Sequence, residues 1–407
     1  MPSRRRCVVI GAGILGLSTA WSLRRRGWSV DVLEAADGVG HPLAGSKGDA
    51  RIFRLGYPDP LYVAMASTAR SLWRDLEAMS GRQLLHVTGQ LSFGHAETVE
   101  ALADALAGHE DAVERLTPQQ VEARFAGVTL PGPALFEPQS GVLAADQCLR
   151  ALRETARIEV QTRTHVTGLD DDGQGITVHC ADGRVVPADV VVDCAGPNAL
   201  ALLGRPPTPA GVGAPPSVPQ VAYFARSGSG AGDPSRLPVF IEWDDDMIYG
   251  LPVFGSGPHA GTVKVSHHTP GPMLRHYEPA ATARPTSVLD ADEPALLRTL
   301  TDAVRRLLPG LDPEPVATER CVYDNSADSD FVLDRVGDVV VGCGTSGHGF
   351  KFGPLLGEVL ADLAEGTAPR FDLRPFRIER IHPMDPIERA TGSSPPTRPD
   401  RPDTTAR

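Results

Sequence analysis

Apolar and polar positions near the N-terminus predict a strand, a helix and a second strand in succession. An apolar run from Cys7 to Ile10 is followed by glycines and an amphipathic stretch, and a second apolar run ends at Glu34. Short apolar runs on either side of a helical period are typical of a βαβ unit. We interpret the rest of the chain around this unit.

The glycines of this unit follow the spacing G-x-G-x-x-G at Gly11, Gly13 and Gly16. The first allows a tight turn, the second lets a pyrophosphate approach the helix N-terminus, and the third lets the helix pack closely on the strand. Glu34 stands 23 residues after Gly11, where a carboxylate accepts hydrogen bonds from ribose hydroxyls. The unit predicts a dinucleotide site. The glycines alone also suit a turn of another α/β protein, and they do not choose between NAD and FAD.

Beyond Glu34, helical and extended patterns alternate. Arg51 and Arg54 are three residues apart, so one helical turn would place them on the same side. Helical periodicity is found at 62–79, 97–108, 117–125, 141–156 (after a strand end), 292–308 and 354–366. Extended patterns are found at 84–93, 158–166, 175–180 and 185–194, in a β-rich part from 220 to 268, and at 336–343. The strands of 158–194 predict a small sheet over the dinucleotide site.

A strand, a glycine-rich turn and a helix return near the C-terminus, which indicates that the first fold is interrupted and then completed. We expect this last strand to lie beside the N-terminal unit. The dinucleotide-binding domain then comprises 1–81, 141–215 and 320–381, and the substrate domain comprises 82–140 and 216–319. Proline and glycine crowd 205–219, a predicted crossing between domains, and the polar tail 382–407 is predicted to be disordered. The predicted fold class is α/β, or α+β with two domains.

Composition and charge narrow the classes of function. The chain has 407 residues, a net charge of −12 and 41% hydrophobic residues, which is ordinary for an enzyme with two domains. The sequence shows no basic stripe for nucleic acid and no apolar stretch long enough to span a membrane. The start MPSRRR resembles a signal peptide, but the following apolar run belongs to the glycine motif, so we expect a cytoplasmic protein. The six cysteines show no metal spacing, and no metal is expected.

The basic residues are unequally divided. Of 39 lysines and arginines, only Lys47, Lys264 and Lys351 are lysines. An ammonium is a compact charge with a movable pKa, whereas guanidinium is planar and always charged. We infer that arginine could not replace lysine in its function at some of these positions. The alternative is random sequence drift, but drift would more often leave lysines on polar helix faces.

Four segments carry a resemblance to a known family: the glycine motif, GSKGDARIFRLGY, CVYDNSADSDFVLD and GTSGHGFKFGPLLGEVL. With them, the chain resembles the D-amino-acid-oxidase-like flavoproteins, and within these the monomeric sarcosine oxidase and N-methyltryptophan oxidase family. The similarity extends from Val8 to about Arg380. It implies FAD, a discontinuous Rossmann-like FAD domain, and an antiparallel-sheet domain over the reacting face of the flavin.

The resemblance also implies cofactor contacts. Cys321 corresponds to the position at which a sulfur is joined to the flavin 8α-methyl, which implies covalent FAD; an unmodified buried cysteine is the alternative. Arg51 corresponds to an arginine that contacts the flavin. We expect further contacts from the glycine motif and from Ile14, Glu34, Ser46, Lys47, Val166, Ala195, Gly196, Gly347, His348, Gly349, Phe350 and Lys351.

Several residues resemble the part of the family site that acts on the substrate. Arg54 and Lys351 resemble a pair that binds the substrate carboxylate, one as a fork and one as a point charge; surface cations that neutralise acids are the alternative. Lys264 matches a lysine near flavin N5, where an ammonium would stabilise negative charge as oxygen takes up an electron. Its alternation with valines equally fits a side chain that points to water. His268 and Tyr249 also resemble active-site residues, or are core or surface residues.

One position departs from the family pattern. Lys47 stands where a histidine is typical. If Lys47 faces the flavin, the added cation favours anionic reduced flavin or a further acidic group on the substrate. Otherwise it turns to phosphate or solvent.

These residues imply an FAD-dependent oxidase of secondary amines that carry a carboxylate, such as N-methyl or cyclic amino acids, giving an imine and hydrogen peroxide. Two other functions stay open. One is a biosynthetic oxidase or dehydrogenase of a larger cyclic imino acid, which Lys47 favours. The other is a flavin-bearing subunit that passes electrons to a partner chain, which would leave Arg54 and Lys351 exposed. Molecular oxygen and a small amine are the expected partners, without nucleic acid or membrane, and the protein is expected to be a monomer or small homo-oligomer.

Overall fold

A computed structural model describes residues 5–40, 44–109, 113–203, 214–227, 236–268, 271–274 and 293–380. The tail 382–407, which the sequence predicts to be disordered, lies outside the described residues. So do residues 205–213 of the predicted crossing between domains.

The described helices are α1 Ile14–Arg25, α2 Pro60–Ser80, α3 Ala96–Leu106, α4 Pro118–Arg124, α5 Ala145–Ala156, α6 Glu293–Leu307 and α7 Gly353–Glu365. The described strands are β1 Arg6–Ile10, β2 Ser29–Leu33, β3 Ala50–Phe53, β4 Leu85–Val87, β5 Gln90–Gly94, β6 Glu114–Leu116, β7 Ala134–Glu137, β8 Gly141–Ala144, β9 Val160–Gln161, β10 Val166–Asp171, β11 Ile176–Cys180, β12 Val185–Ala188, β13 Val190–Asp193, β14 Gln220–Arg226, β15 Val239–Trp243, β16 Ile248–Pro252, β17 Val263–His267, β18 Leu311–Arg320, β19 Val332–Val336 and β20 Val339–Cys343. The predicted helices are confirmed.

A six-stranded sheet in the order β19-β20-β13-β1-β2-β9 contains the N-terminal βαβ unit. Its strands are parallel except β19, which is antiparallel to β20. The last strand, β20, joins this sheet as predicted, but β13 lies between β20 and β1. The last strand therefore lies one strand away from β1, and the helix that follows it, α7, packs on α1 of the N-terminal unit. The four residues of β13 are all buried, which suits a central strand better than an edge.

Both faces of the six-stranded sheet are covered. On one face, Val9 and Val192 pack in a core with α1, α5 and α7. On the other face, Val8 and Val191 pack with Val178 of a small antiparallel sheet, β10-β11-β12. The predicted small sheet is thus present, but it covers the six-stranded sheet. The predicted strand 185–194 is divided into β12 and β13, which belong to different sheets.

An eight-stranded sheet in the order β18-β14-β17-β16-β15-β5-β7-β6 forms the β-rich part. Its neighbouring strands are antiparallel except β5 and β15. Phe224, Val263 and Val265 face a core that includes α6. The opposite face carries Tyr223, which lies directly across from Lys264 in the strand register. This second face packs on the three-stranded sheet β3-β8-β4.

Two local predictions need correction, and one strand was not predicted. Arg51 and Arg54 do not share a helical turn, because β3 pairs antiparallel with the buried strand β8, and a single turn of helix would be costly to nucleate. The extended segment 84–93 gives β4 and β5, which lie in different sheets. No sequence pattern predicted β18, which has few apolar residues and two prolines that an edge strand tolerates. None of the described helices has the length and apolar character needed to cross a membrane.

Candidate active site

An elongated cavity is lined by the ends of strands in the six-stranded sheet and by the inner face of the eight-stranded sheet. Its volume is about 360 Å³. This lies within the range of about 300 to 1,000 Å³ that is usual for small-molecule pockets, and the lining extends from the glycine motif to Arg54 and Lys351. Among the predicted site residues, only Gly16 and Lys47 do not line it.

At one end, the glycine motif forms the turn between β1 and α1. Gly11 has a φ of +93°, and a Cβ there would lie 2.5 Å from the Cys194 carbonyl oxygen. A Cβ at Gly16 would lie 1.9 Å from the Gly11 carbonyl oxygen, so this glycine allows α1 to pack on the turn. The Ile14 amide at the start of α1 donates to Ser46 Oγ over 2.9 Å. Backbone and helix N-terminus are therefore arranged as a phosphate site requires.

The Glu34 carboxylate lies at the same end. Its Oε2 accepts from the Ala12 amide over 2.8 Å, and its Oε1 accepts from the Ala36 amide over 2.9 Å. Each carboxylate oxygen keeps further acceptor capacity for a hydroxyl group. The cavity wall beside Glu34 is completed by Val166, Ala195 and Gly196.

Arg54 and Lys351 meet around Tyr57. The Arg54 guanidinium centre lies 3.9 Å from the Tyr57 ring centroid, and its Nη1 donates to the Gly56 carbonyl oxygen over 2.7 Å. Lys351 Nζ donates to the Tyr57 hydroxyl over 2.9 Å and to the His348 carbonyl oxygen over 2.8 Å. Both cations are buried, at 6% and 5% exposure. Within the described ranges, neither forms a salt bridge with a carboxylate.

Burial, together with these two basic groups, keeps the nearby histidines neutral. Burial, and then Arg54, hold the pKa of Lys351 well below its ordinary value. Burial, followed by Arg54 and Lys351, lowers the pKa of His268 to about 3. Burial and Lys351 likewise hold the pKa of His348 well below its usual range. Both histidines are therefore neutral at pH 7, so the groups that can carry positive charge in this part of the cavity are Arg54 and Lys351.

Lys264 lines the cavity from β17. It is 4% exposed, and its Nζ donates to the Ala50 carbonyl oxygen over 3.4 Å. Burial, followed by the repulsion of Arg51, lowers its pKa to about 7. The alternation of lysine with valine therefore does not place this side chain in water, because both faces of the sheet are covered.

Cys321 directly follows β18 and is buried in the cavity wall as a free thiol. Tyr323, two residues further on, also lines the cavity, and its phenol lies close to that of Tyr249. Burial raises the pKa of both phenols. This part of the wall therefore offers neutral hydroxyl groups.

Lys47 lies away from the cavity wall. Its Nζ is 3.7 Å from Glu319 Oε2. It thus faces a carboxylate of the protein, an outcome that was not among the sequence alternatives of flavin, phosphate or solvent.

Three residues of this site were missed in the sequence. Tyr57 supports both cations, Trp243 has its ring 5.0 Å from the Arg54 guanidinium centre, and Tyr323 contacts Tyr249. Tyr57 and Tyr323 lie only three and two residues after Arg54 and Cys321, so their proximity to predicted site residues was a usable signal. The sequence contained no such signal for Trp243, since an aromatic residue in a strand usually indicates core packing.

Comparison with known proteins decides the family. The family model described as "DAO: FAD dependent oxidoreductase" matches residues 6–363. The chain belongs to this family. The FAD cofactor predicted from the sequence is thereby confirmed.

Relatives of this FAD-dependent oxidoreductase agree with the predicted resemblance. Human peroxisomal sarcosine oxidase is 32% identical over 392 residues, which cover 92% of this chain and 95% of that protein. N-methyl-L-tryptophan oxidase of Citrobacter koseri is 27% identical over 387 residues, covering 92% and 98%. The prediction of an FAD-dependent amine oxidase resembling these enzymes is confirmed.

A solved structure shows the same fold. The open form of NikD, described as an unusual amino acid oxidase essential for nikkomycin biosynthesis, matches with a TM-score of 0.76 and 26% identity. The match covers 92% of this chain and 97% of NikD. The predicted fold class is confirmed.

The residues of this flavoprotein fit FAD. Gly11 provides a turn that a Cβ would block, Glu34 provides free acceptors for ribose hydroxyls, and the cavity extends from them to Arg54. In the described part of the chain, no cluster of three or more metal-ligating side chains is found.

Proposed function

We propose that the protein is an FAD-dependent oxidase of secondary amines that carry a carboxylate, namely N-methyl or cyclic amino acids. The products would be an imine and hydrogen peroxide. The single observation that carries the proposal is the pair of buried basic groups, Arg54 and Lys351, which both line the cavity and contact the same residue, Tyr57, without a carboxylate partner among the described residues.

The two cations suit a substrate carboxylate. Two buried like charges repel each other and lack the partners that buried charges normally have. An anion bound between them would compensate both. The Arg54 fork can hold two oxygen atoms in one plane, and Lys351 adds a point charge. The neutral ring of His268 lines the same cavity and does not compete for the anion.

When bound, FAD would supply the two-electron acceptor and return the electrons to dioxygen. The chain contributes Lys264, a buried group whose ammonium form would stabilise negative charge developing on oxygen. We further propose that Cys321 binds the cofactor covalently through a thioether. The thiol would lose its proton, one C–H bond of the flavin 8α-methyl would break, and the two electrons released would be taken up by the flavin and then by dioxygen. The place of Cys321 in the cavity wall, directly after β18, supports this attachment.

The other two functions have less support. Lys47 was the residue that favoured a larger cyclic imino acid, but it pairs with Glu319 and does not line the cavity. A flavin-bearing subunit would leave Arg54 and Lys351 exposed, and both are buried. The domain limits, the cytoplasmic location and the small oligomeric state stay predictions.

The test is a peroxide assay with matched amines. Each N-methyl or cyclic amino acid is paired with the same amine lacking its carboxylate. We expect peroxide from the acids, and a loss of kcat/KM of at least about 100-fold for the decarboxylated partners, since two charged contacts are lost. Equal activity on both members of every pair, or no peroxide with any acid, would contradict the proposal.

A further inference from the structure

A cluster of polar side chains lies beside Lys264 and outside the cavity wall that holds the predicted carboxylate site. We define the Glu319 cluster as Glu319, Lys47, Tyr223 and His259. Tyr223 lies directly opposite Lys264 across β14 and β17, and Glu319 lies on β18, which pairs with the other edge of β14. The cluster is therefore built on the strands that position Lys264.

The Glu319 carboxylate is held from several sides. Its Oε2 accepts from the Tyr223 hydroxyl over 3.1 Å and lies 3.7 Å from Lys47 Nζ, and its Oε1 lies 3.1 Å from His259 Nε2. The His259 ring stacks on Tyr223 with centroids 3.8 Å apart. A side chain fixed by so many contacts presents its negative charge at a constant position.

Lys264 needs such a charge because a second cation crowds it. Lys264 Nζ and Arg51 Nη1 donate to the same acceptor, the Ala50 carbonyl oxygen, over 3.4 and 2.9 Å. A Cβ placed on Gly48 would lie 3.7 Å from Arg51 Nη1 and 4.0 Å from Glu319 Oε2. Glu319 and Arg51 therefore both lie close to Gly48.

The charges around Lys264 act in opposite directions. Besides burial, Arg51 and Lys47 lower its pKa, whereas Cys321 and Glu319 raise it. Although burial acts against ionisation, Lys47 and the hydrogen bonds from His259 and Tyr223 hold the pKa of Glu319 below its ordinary value. Glu319 is therefore ionised at neutral pH. Burial and then Glu319 raise the pKa of Tyr223, which stays a neutral donor.

We propose that Glu319 is a positioning residue that favours the ammonium form of Lys264, and that Lys47 opposes this effect by neutralising part of the charge of Glu319. The proposal rests on the proposed function in one respect only, namely that the ammonium group assists the reaction of the reduced flavin with oxygen. The charge state of Lys264 itself can be measured without turnover. The inference gives Lys47 a role that does not require contact with the flavin.

The chain allows a direct measurement because it has three lysines. Holoenzyme labelled with [6-¹³C]lysine gives three side-chain resonances, which single lysine-to-methionine variants assign. Their pH titration gives the midpoint for Lys264. We expect E319Q to lower this midpoint by about one pH unit, and K47M to raise it. E314Q is the matched control, since Glu314 is exposed on the same strand, and it should leave the midpoint in place.

The opposite signs separate an electrostatic role from a loss of structure, because general destabilisation would not move the midpoint in two directions. If E319Q does not fold, the rise in K47M still tests the proposal. A Lys264 midpoint that is the same in E319Q, K47M and the parent protein would overturn it.

Stopped-flow reoxidation of the reduced holoenzyme distinguishes this inference from the proposed function. If the inference holds, E319Q at pH 7 should reduce the reoxidation rate constant about five-fold, because the ammonium fraction falls from about one half to about one tenth. If K264M reoxidises as fast as the parent protein, the proposed oxygen role fails, while the titration still decides whether Glu319 sets the charge.

Discussion

Lys351 donates a hydrogen bond of 2.9 Å to the Tyr57 hydroxyl, across 294 residues of sequence. The face of the same tyrosine supports the Arg54 guanidinium. Burial raises the pKa of Tyr57 to about 12 although Arg54 acts in the opposite direction, so Tyr57 is a neutral phenol. One neutral residue thus holds two like charges close together without cancelling either. Because water is largely excluded there, a bound anion would be attracted more strongly than at the surface.

Lys351→Met should weaken binding of substrates with a carboxylate. Loss of a charged hydrogen bond costs about 1.5 to 3 kcal/mol, so we expect KM to rise by about 10- to 100-fold. The control is the decarboxylated amine with the same variant, for which KM should change little. The melting temperature without substrate should not fall, since a buried charge without a salt-bridge partner is removed. An equal loss for both amines would show that Lys351 does not bind the carboxylate.

Tyr57→Phe should test how much the Tyr57 hydroxyl contributes to substrate binding while Arg54 and Lys351 are both retained. The ring beneath Arg54 is retained, but the acceptor for Lys351 is lost, so we expect KM for the amino acid to rise by about 5- to 10-fold, near 1 kcal/mol. Tyr62→Phe is the matched control. Tyr62 stacks on Tyr57, and its hydroxyl donates to Asp330 over 2.9 Å. Loss of this hydroxyl should therefore lower the stability of the protein and leave KM unchanged. The prediction fails if the two variants show the same change in KM.

The sequence predicted those parts of the site that lie in short motifs, each of which has a single chemical interpretation. The turn at Gly11 and the acid Glu34 follow from the spacing of the βαβ unit, and Arg54 and Lys351 follow from the family resemblance. That they meet at Tyr57 could not be predicted, because the contact depends on how α2 and α7 pack. Asp59 caps the first turn of α2 at Pro60, which fixes the chain just after Tyr57.

Other features depend on tertiary pairing. A strand such as β18, with two prolines and exposed polar residues, gains its structure from pairing with β14. The alternation around Lys264 gives the same pattern whether the polar face meets water or another sheet. The sequence also could not pair Lys47 with Glu319, which are distant in the chain and meet because the loop before β3 lies against the end of β18.

Cys321→Ser should release the cofactor on denaturation. If the thiol forms a thioether with the flavin, acid precipitation of the parent protein gives a yellow pellet, and the variant gives a colourless pellet and a yellow supernatant. Cys180→Ser is the matched control, because Cys180 lies in β11 and does not line the cavity. Its pellet should stay yellow. A colourless pellet from the parent protein would disprove the attachment and leave FAD binding itself untouched.

The reoxidation rate should depend on pH through Lys264. A base whose pKa is lowered to about 7 in the folded protein loses its charge as the pH rises through 7, well below the ordinary range of lysine. Above this pH we expect the reoxidation rate constant to fall about ten-fold per pH unit, until a rate that does not need the ammonium is reached. Below it, the rate should be level.

Two variants separate the charge of Lys264 from its titration. Lys264→Met should reoxidise slowly at every pH, because no ammonium forms. Lys264→Arg keeps a cation that does not titrate in this range. The reoxidation rate of this variant should therefore be independent of pH and should exceed that of the methionine variant. Anaerobic reduction by the same substrate is the internal control, and it should change less than reoxidation in both variants. A parent rate that is level from about pH 6 to about pH 9 would mean that the Lys264 ammonium does not assist oxygen, whatever its position in the cavity.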